Sequence, residues 1–351
     1  MGKRVIIFKF GAGGDVLRTT AILPGLKNKY PDSKVYWVTT ESSKPVLENN
    51  YFIDKIYLES ELSKDFKKNK YDIIINLDED RRACQLAGEL NSERVGLYLK
   101  DGEITCSDKA KYWMSMSLLG GPDKDCLKRT NTFTYQKIMY DILGIPHDLK
   151  YRPILNLTPK EKEFGIDFLR KNKIDFGLEV IVGLNTNAGM RWPLKEMPIA
   201  KTVNVIDRLI KAGFRVLLFG GHKEIKRNET ILKLADKRLV NTGCGNTIRE
   251  FASLINICNV LISADTLAMH IGIALGKYTI AFFGPTPYLE IEFYANGKAI
   301  FPNLDCIGCM KKVVCEKKPN CMDLLDEMAI VETVLHYRKM YNICDARDDK
   351  R

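Results

Sequence analysis

The 351-residue sequence lacks any apolar run approaching the roughly 20 residues needed to cross a bilayer as a helix, which excludes helical channels and carriers. Its first residues, MGKRVIIFKFGAGGD, hold too short an apolar stretch for a secretory leader and no small-residue cleavage site, so they read as a first strand. The Met-Gly start has Val5 and Ile6 where a myristoylation signal needs Ser or Thr at its sixth position, which rejects lipidation. There is no helix-turn-helix pattern, no aromatic RNP-like strand and no Arg-rich tail, so no nucleic-acid partner is expected. Short repeats and low-complexity segments are also missing. Gly11-x-Gly13 is followed by Val16 where a third glycine should stand, so the dinucleotide fingerprint fails. Six of the ten cysteines (Cys84, Cys106, Cys126, Cys244, Cys258 and Cys344) are scattered and, without a leader, read as reduced thiols of a cytosolic protein.

What remains suits a globular protein: 45% apolar and 28% charged residues, with length for two ordinary domains. The net charge of +10 is compatible with a phosphorylated substrate or an anionic membrane face. Strand and helix patterns alternate from the start. Apolar strands are read at Arg4 to Phe8, Lys34 to Val38, Ile53 to Tyr57, Tyr71 to Leu77 and Arg94 to Leu99. Helices are read at Asp15 to Lys29, Ser43 to Asn49, Leu62 to Lys68, Arg81 to Leu90 and Phe133 to Leu143. The pattern weakens between Lys100 and Asn131, and a proline-marked extended segment, Tyr151 to Pro159, reads as a domain link. The alternation restarts at Val180 and closes on a helix from Leu324 to Tyr341. The expectation is two doubly wound α/β domains, 1–155 and 156–351, the second carrying a Cys-rich segment (306–321) and the terminal helix.

The densest signal is Ser263 to Pro287. An apolar strand hands over at Asp265-Thr266 to a helix bearing His270 one turn on, and a second strand ends in Gly284-Pro285-Thr286-Pro287. A helix N-terminus at the carboxyl end of a parallel sheet offers free N–H groups and a positive dipole end to a phosphate. Asp-Thr is equally an ordinary helix start, and a lone His equally a packed residue.

The sequence resembles glycosyltransferase family 9, the ADP-heptose:lipopolysaccharide heptosyltransferase family, along almost its whole length. The resemblance rests on Gly14-Asp15-Val16-Leu17-Arg18-Thr19 to Leu23-Pro24, on YDIIINLDEDRRACQLAGEL with Glu93 to Leu97, and on Asn185 to Gly189 with Arg191-Trp192-Pro193. It rests further on Gly220-Gly221-His222-Lys223-Glu224, on Asp265 to His270 and on Phe283 to Thr286. It departs from the family at Met190, where members often carry Lys, and at Asp78-Glu79-Asp80, which reads as a solvated loop or acceptor contact rather than a metal site.

The resemblance implies a GT-B fold, with two Rossmann-like domains facing a cleft, and an inverting sugar transfer from a nucleotide-diphosphate donor. The family default is ADP-heptose to a lipopolysaccharide core or other anionic envelope saccharide. It makes Asp15 the general base, with a plain helix cap as the alternative, and puts Arg18 at the acceptor. Donor contacts fall to Thr186, Asn187, Arg191, Glu224 (on the ribose), Asp265, Thr266 and His270. A carboxylate does not bind phosphate unaided, so Asp265 is read on sugar hydroxyls or as an orienting group. No cofactor is expected for catalysis. Cys306, Cys309, Cys315 and Cys321 (C-x2-C-x5-C-x5-C) suit a structural Zn²⁺ or an iron–sulfur cluster, with free thiols or disulfides as alternatives. The expected location is the cytoplasm, peripheral to the inner face of the membrane. The rival functions are a nucleotide-sugar epimerase and a non-catalytic anionic-ligand-binding protein.

Overall fold

A computed structural model describes residues 2–62, 66, 68–186, 188–189 and 191–341. It divides into two compact units: Met1–Asn156 with Leu289–Tyr294, and Leu157–Tyr288 with the residues after Tyr294.

Unit 1 runs β1 (Arg4–Phe8), α1 (Gly13–Thr19), α2 (Ile22–Lys29), β2 (Lys34–Thr39), β3 (Lys55–Leu58), β4 (Ile73–Asn76), α3 (Arg81–Glu89), β5 (Glu93–Lys100), β6 (Glu103–Cys106), α4 (Lys111–Met116), α5 (Lys124–Thr130) and α6 (Tyr135–Leu143). The sheet order is β3-β2-β1-β4-β5-β6, parallel except for β5–β6. Strands buried on both faces must be apolar throughout, which is why RVIIF and IIIN form its centre. The single helix read over Asp15 to Lys29 is two. Pro24 has no N–H to give the Thr20 carbonyl, and the chain breaks there, with Thr20 Oγ1 turned back 2.6 Å onto Leu17 O. The stretch read as irregular, Lys100 to Asn131, contains β6, α4 and α5. The helix read over Leu62 to Lys68 lies partly outside the described residues, as does Cys344.

Unit 2 runs α7 (Pro159–Lys171), β7 (Ile181–Asn185), α8 (Ile199–Lys211), β8 (Arg215–Leu218), α9 (Ile225–Leu234), β9 (Val240–Asn241), α10 (Ile248–Asn256), β10 (Val260–Ala264), α11 (Leu267–Ala274), β11 (Tyr278–Phe282), β12 (Gly297–Ile300) and α12 (Glu327–Met340). Its sheet is wholly parallel, in the order β12-β11-β10-β7-β8-β9. Counted within the unit, this is the order of unit 1 again, so each domain is doubly wound. Helix α8 buries Thr202, Val205, Ile206, Leu209 and Ile210, a stripe at helical spacing. That stripe meets Ile330, Val331 and Val334 of α12 in the core. Helix α7 opens with a capping box, Thr158 and Glu161, and Glu161 is forked by Arg249 of α10 at 2.7 Å on both oxygens.

In an open sheet of this order, ligands bind beyond the carboxyl ends of the strands where the winding reverses. Those points are β1/β4 in unit 1 and β7/β10 in unit 2.

Candidate functional site

Each reversal point carries residues singled out by sequence. In unit 1, the chain leaves β1 through Lys9, Phe10 and Gly11 and enters α1, with Asp15 in the first turn. Arg18, one turn on, pairs with Asp15 at 2.8 Å. Arg18, expected at the acceptor, has a side chain 10% exposed. Its guanidinium lies 3.7 Å from the Tyr135 ring and 3.8 Å from Glu290. Thr19 ties the same turn down, donating to Asp15 O at 2.6 Å and meeting the Tyr135 hydroxyl at 2.7 Å. The Asp15 carboxylate itself stays over one-third exposed.

Across β4, the first acid of the triplet departs from the reading as a solvated loop, while Glu79 is half-buried and Asp80 exposed. Asp78 is buried and accepts the N–H groups of Phe10 (2.7 Å) and Gly11 (2.8 Å), while its other oxygen accepts that of Asp80. Buried Lys9 stands 3.7 Å from Asp78 and donates to Leu77 O at 2.8 Å. Burial alone would depress the Lys9 pKa, but Tyr135, Asp78 and Asp15 outweigh it and hold it above its ordinary value. Burial alone would raise the Asp78 carboxyl; Lys9 and the backbone N–H groups of Gly11, Asp80 and Phe10 hold it below its usual range instead. Glu79 accepts from Leu118 N, and Asp80 caps α3 through Arg82 N and Ala83 N. All three carboxylates therefore have structural partners. Nothing within the sequence DED distinguishes these roles, because the partners of Asp78 lie 67 and 68 residues away.

In unit 2, β10 ends at Ala264, Asp265 turns the chain, and Thr266 starts α11 without a side-chain capping bond. His270, one turn in, is buried. The residue that sequence reasoning missed is Lys195. Its Nζ lies 2.7 Å from Asp265 Oδ2 and 3.1 Å from Asp265 O, beneath the Trp192 ring at 4.6 Å. Burial would raise the Asp265 carboxyl, but Lys195 and His270 overcome it and hold it far below the usual range. Asp265 is thus an ionised anchor that aims a lysine. Its need for a cationic partner was the only signal the sequence offered. Asn185 Nδ2 reaches Thr266 Oγ1 at 3.3 Å, linking the two strands of the reversal point.

Of the other residues expected at the donor, Thr186 is completely buried at the end of β7, its hydroxyl without a hydrogen-bond partner. Asn187 lies outside the described residues, and Arg191 is exposed. Glu224, half-buried beyond β8, accepts from Gly221 N at 2.7 Å and faces Gly189 of the β7 loop, whose φ of +64° suits glycine. The site thus gathers Lys195, Asp265, Thr266 and His270 at β10, with Glu224 and the Gly189 loop at the β7/β8 side.

The four clustered thiols are unpaired. Burial pushes the Cys321 thiol up to about 11, and Cys309, Cys315 and Cys306 around it add to the shift. Among the described residues, no three His, Cys, Asp or Glu side chains converge closely enough to hold a metal ion. No described helix is long and apolar enough to cross a membrane.

The two doubly wound domains have the GT-B architecture, one with a carboxylate at its reversal point and the other with an uncapped helix start beside a lysine. The profile of glycosyltransferase family 9 (heptosyltransferase) matches residues 153–322. A lipooligosaccharide heptosyltransferase 2 from Campylobacter jejuni is 30% identical over 204 residues, 56% of this chain and 58% of that protein, so the match spans less than two thirds of that relative. A lipopolysaccharide heptosyltransferase 1 from Campylobacter coli is 21% identical over 94% of this chain and 98% of its own. Among solved structures, a family 9 glycosyltransferase from Veillonella parvula superposes with a TM-score of 0.76 at 19% identity, covering 95% of this chain and 96% of that one. The iron-containing heptosyltransferase TibC of Escherichia coli, solved with ADP-D-beta-D-heptose, superposes with a TM-score of 0.56 at 12% identity over 97% and 77%. Residues 153–322, just under half of the chain, are thus similar to glycosyltransferase family 9.

Proposed function

We propose that this protein transfers heptose from ADP-heptose to an anionic saccharide of the cell envelope, with inversion at the anomeric carbon, at the inner face of the cytoplasmic membrane. Asp15 takes the proton of the acceptor hydroxyl as the acceptor oxygen bonds to the anomeric carbon and the bond to ADP breaks. Arg18 and the Asp78-anchored loop position Asp15. The diphosphate leaves against the N-terminus of α11, with Lys195 as the counter-charge that Asp265 aims and His270 behind it. Glu224 accepts hydrogen bonds from the ribose hydroxyls, and Arg191, Thr186 and Asn187 contact the phosphates.

The observation that carries this reading is the Lys195–Asp265 pair beside a helix start with no side-chain cap. The match of residues 153–322 to the heptosyltransferase family and ADP-heptose in a fold neighbour support the donor. The test is ADP release from ADP-heptose with a heptose-deficient lipopolysaccharide core as acceptor, followed by assignment of the product anomer. Asp15→Asn abolishes turnover while ADP binding persists. Turnover of ADP-heptose without acceptor would move the reading to an epimerase. ADP binding without any turnover would move it to a binding protein.

The reading extends to a structural metal on Cys306, Cys309, Cys315 and Cys321. Four cysteines at C-x2-C-x5-C-x5-C spacing support it, as does iron in a fold neighbour; no step of the transfer uses it. Elemental analysis giving one metal per chain, lost in Cys309→Ser together with several degrees of melting temperature, supports it. Metal-free protein of unchanged stability refutes it.

A further inference from the structure

The Cys-rich segment presents a surface that the transfer reaction does not explain. Val313 and Val314 are adjacent and 63% and 71% exposed. Lys311 and Lys312 precede them, Lys317 and Lys318 follow, and all four are exposed. The one acid at this tip, Glu316, lies 3.6 Å from Lys311. Scattered exposed apolar residues are ordinary on a soluble protein. Two together, flanked in sequence by four exposed lysines, match a different chemistry: apolar side chains that enter an interface while the ammonium groups meet anionic headgroups.

The tip stands on a braced base. Gly308 N donates to Gly284 O at 2.9 Å, Met310 N to Pro285 O at 2.7 Å and Leu194 N to Lys312 O at 3.4 Å. The Lys312 ammonium lies 5.4 Å from the Trp192 ring. Trp192 also covers Lys195, and Gly284-Pro285 follows β11, so the tip rests on the loops that build the donor site.

We infer that the tip formed by residues 311–318 docks unit 2 onto a bilayer of anionic lipid, with Val313 and Val314 entering the headgroup layer. This rests on the reading of a membrane-face acceptor, and it assigns the surface that does the work.

The experiment is co-sedimentation of the full chain with vesicles containing phosphatidylglycerol, against phosphatidylcholine alone. Binding to the anionic vesicles only, reversed by high salt, is expected. Lys317→Gln with Lys318→Gln weakens partitioning about thirtyfold, and Val313→Asp with Val314→Asp abolishes it. Melting temperature and transfer to a soluble, delipidated acceptor stay unchanged in both variants. Variants that sediment like the wild type overturn the surface while leaving the membrane reading standing. No wild-type binding overturns both, and the soluble-acceptor assay reports on the transferase reading by itself. Loss of binding only in Leu118→Asp with Leu127→Asp, the exposed apolar pair of the α4–α5 region, moves docking to unit 1 and overturns the tip.

Discussion

Asp78→Ala is the sharpest test of how the loop leading into Asp15 is held. The substitution removes one buried carboxylate, strands three backbone N–H groups, those of Phe10, Gly11 and Asp80, and takes the neighbouring counter-charge from the Lys9 ammonium, which keeps its bond to Leu77 O. Removing one partner of a buried charge pair costs about 3–5 kcal/mol, mostly because the remaining charge stays buried. At roughly 2–4 °C per kcal/mol, the melting temperature of unit 1 falls by about 6–20 °C. Glu79→Ala and Asp80→Ala serve as controls, since each loses one exposed contact or one helix cap worth about 1 kcal/mol. The assay is thermal and urea unfolding of the three variants across pH. The Asp78 carboxyl is held below its ordinary value, so its contribution is complete above about pH 4 and fades as pH falls through the lower folded-state value. Lys9 is shifted the other way, so its contribution is complete below about pH 10 and is lost only as pH climbs past the raised value. The gap between wild type and Asp78→Ala is therefore flat from about pH 5 to 9 and narrows in acid. An Asp78→Ala protein within about 1 kcal/mol of wild type, or a Glu79→Ala protein equally damaged, refutes the anchoring role.

Three further outcomes follow from the geometry. Lys195→Met weakens ADP binding about 10–100-fold by calorimetry, as expected for a charge-assisted contact to phosphate, and Asp265→Asn reproduces part of that loss by releasing the lysine. The Glu161 carboxyl is lowered to about 2, first by its Arg249 bonds, so its contribution is present above about pH 4.3 and disappears as pH falls toward 2; acid unfolding followed by circular dichroism shows this limb in the wild type and not in Arg249→Ala. Gly96→Ala at φ +94° drives a Cβ to 1.9 Å from Asn76 O in the centre of the first sheet, so the protein is destabilised by more than about 2 kcal/mol or recovered insoluble.

The framework was legible because parallel strands covered on both faces have little choice but continuous Val, Ile and Leu. Tyr71 to Leu77 and Val260 to Ile262 could be read at once, and with them the positions of Asp265 and His270. Two local signals were present but outweighed. Pro24 marked the break between α1 and α2, and Thr158-Pro159-x-Glu161 announced α7 with a capping box in a segment dominated by its prolines. The edge strands β6 and β12 carry too few apolar residues to stand out. The buried character of Asp78 and Arg18 and the role of Lys195 were beyond reach for another reason. Each depends on a partner that only the sheet order brings near: Gly11 for Asp78, Tyr135 and Glu290 for Arg18, Asp265 for Lys195. An acidic triplet and a lysine in a polar loop look the same whether they face water or each other.

The six residues Leu289–Tyr294 belong to unit 1, although the chain on both sides of them belongs to unit 2. Tyr135 N donates to Glu290 O at 2.9 Å, Glu290 lies 3.8 Å from Arg18, and Arg152 donates to Tyr294 O at 3.3 Å. Domains tend to fold in the order in which they are synthesised. Here the first cannot be completed when its own 156 residues have left the ribosome, because the clasp under the Asp15–Arg18 pair is translated more than 130 residues later. The first unit therefore gains its last contacts only after most of the second has been synthesised. A gene fragment ending near Asn156 encodes a sheet without its clasp, and dissecting the two halves for separate expression requires grafting 289–294 onto the first.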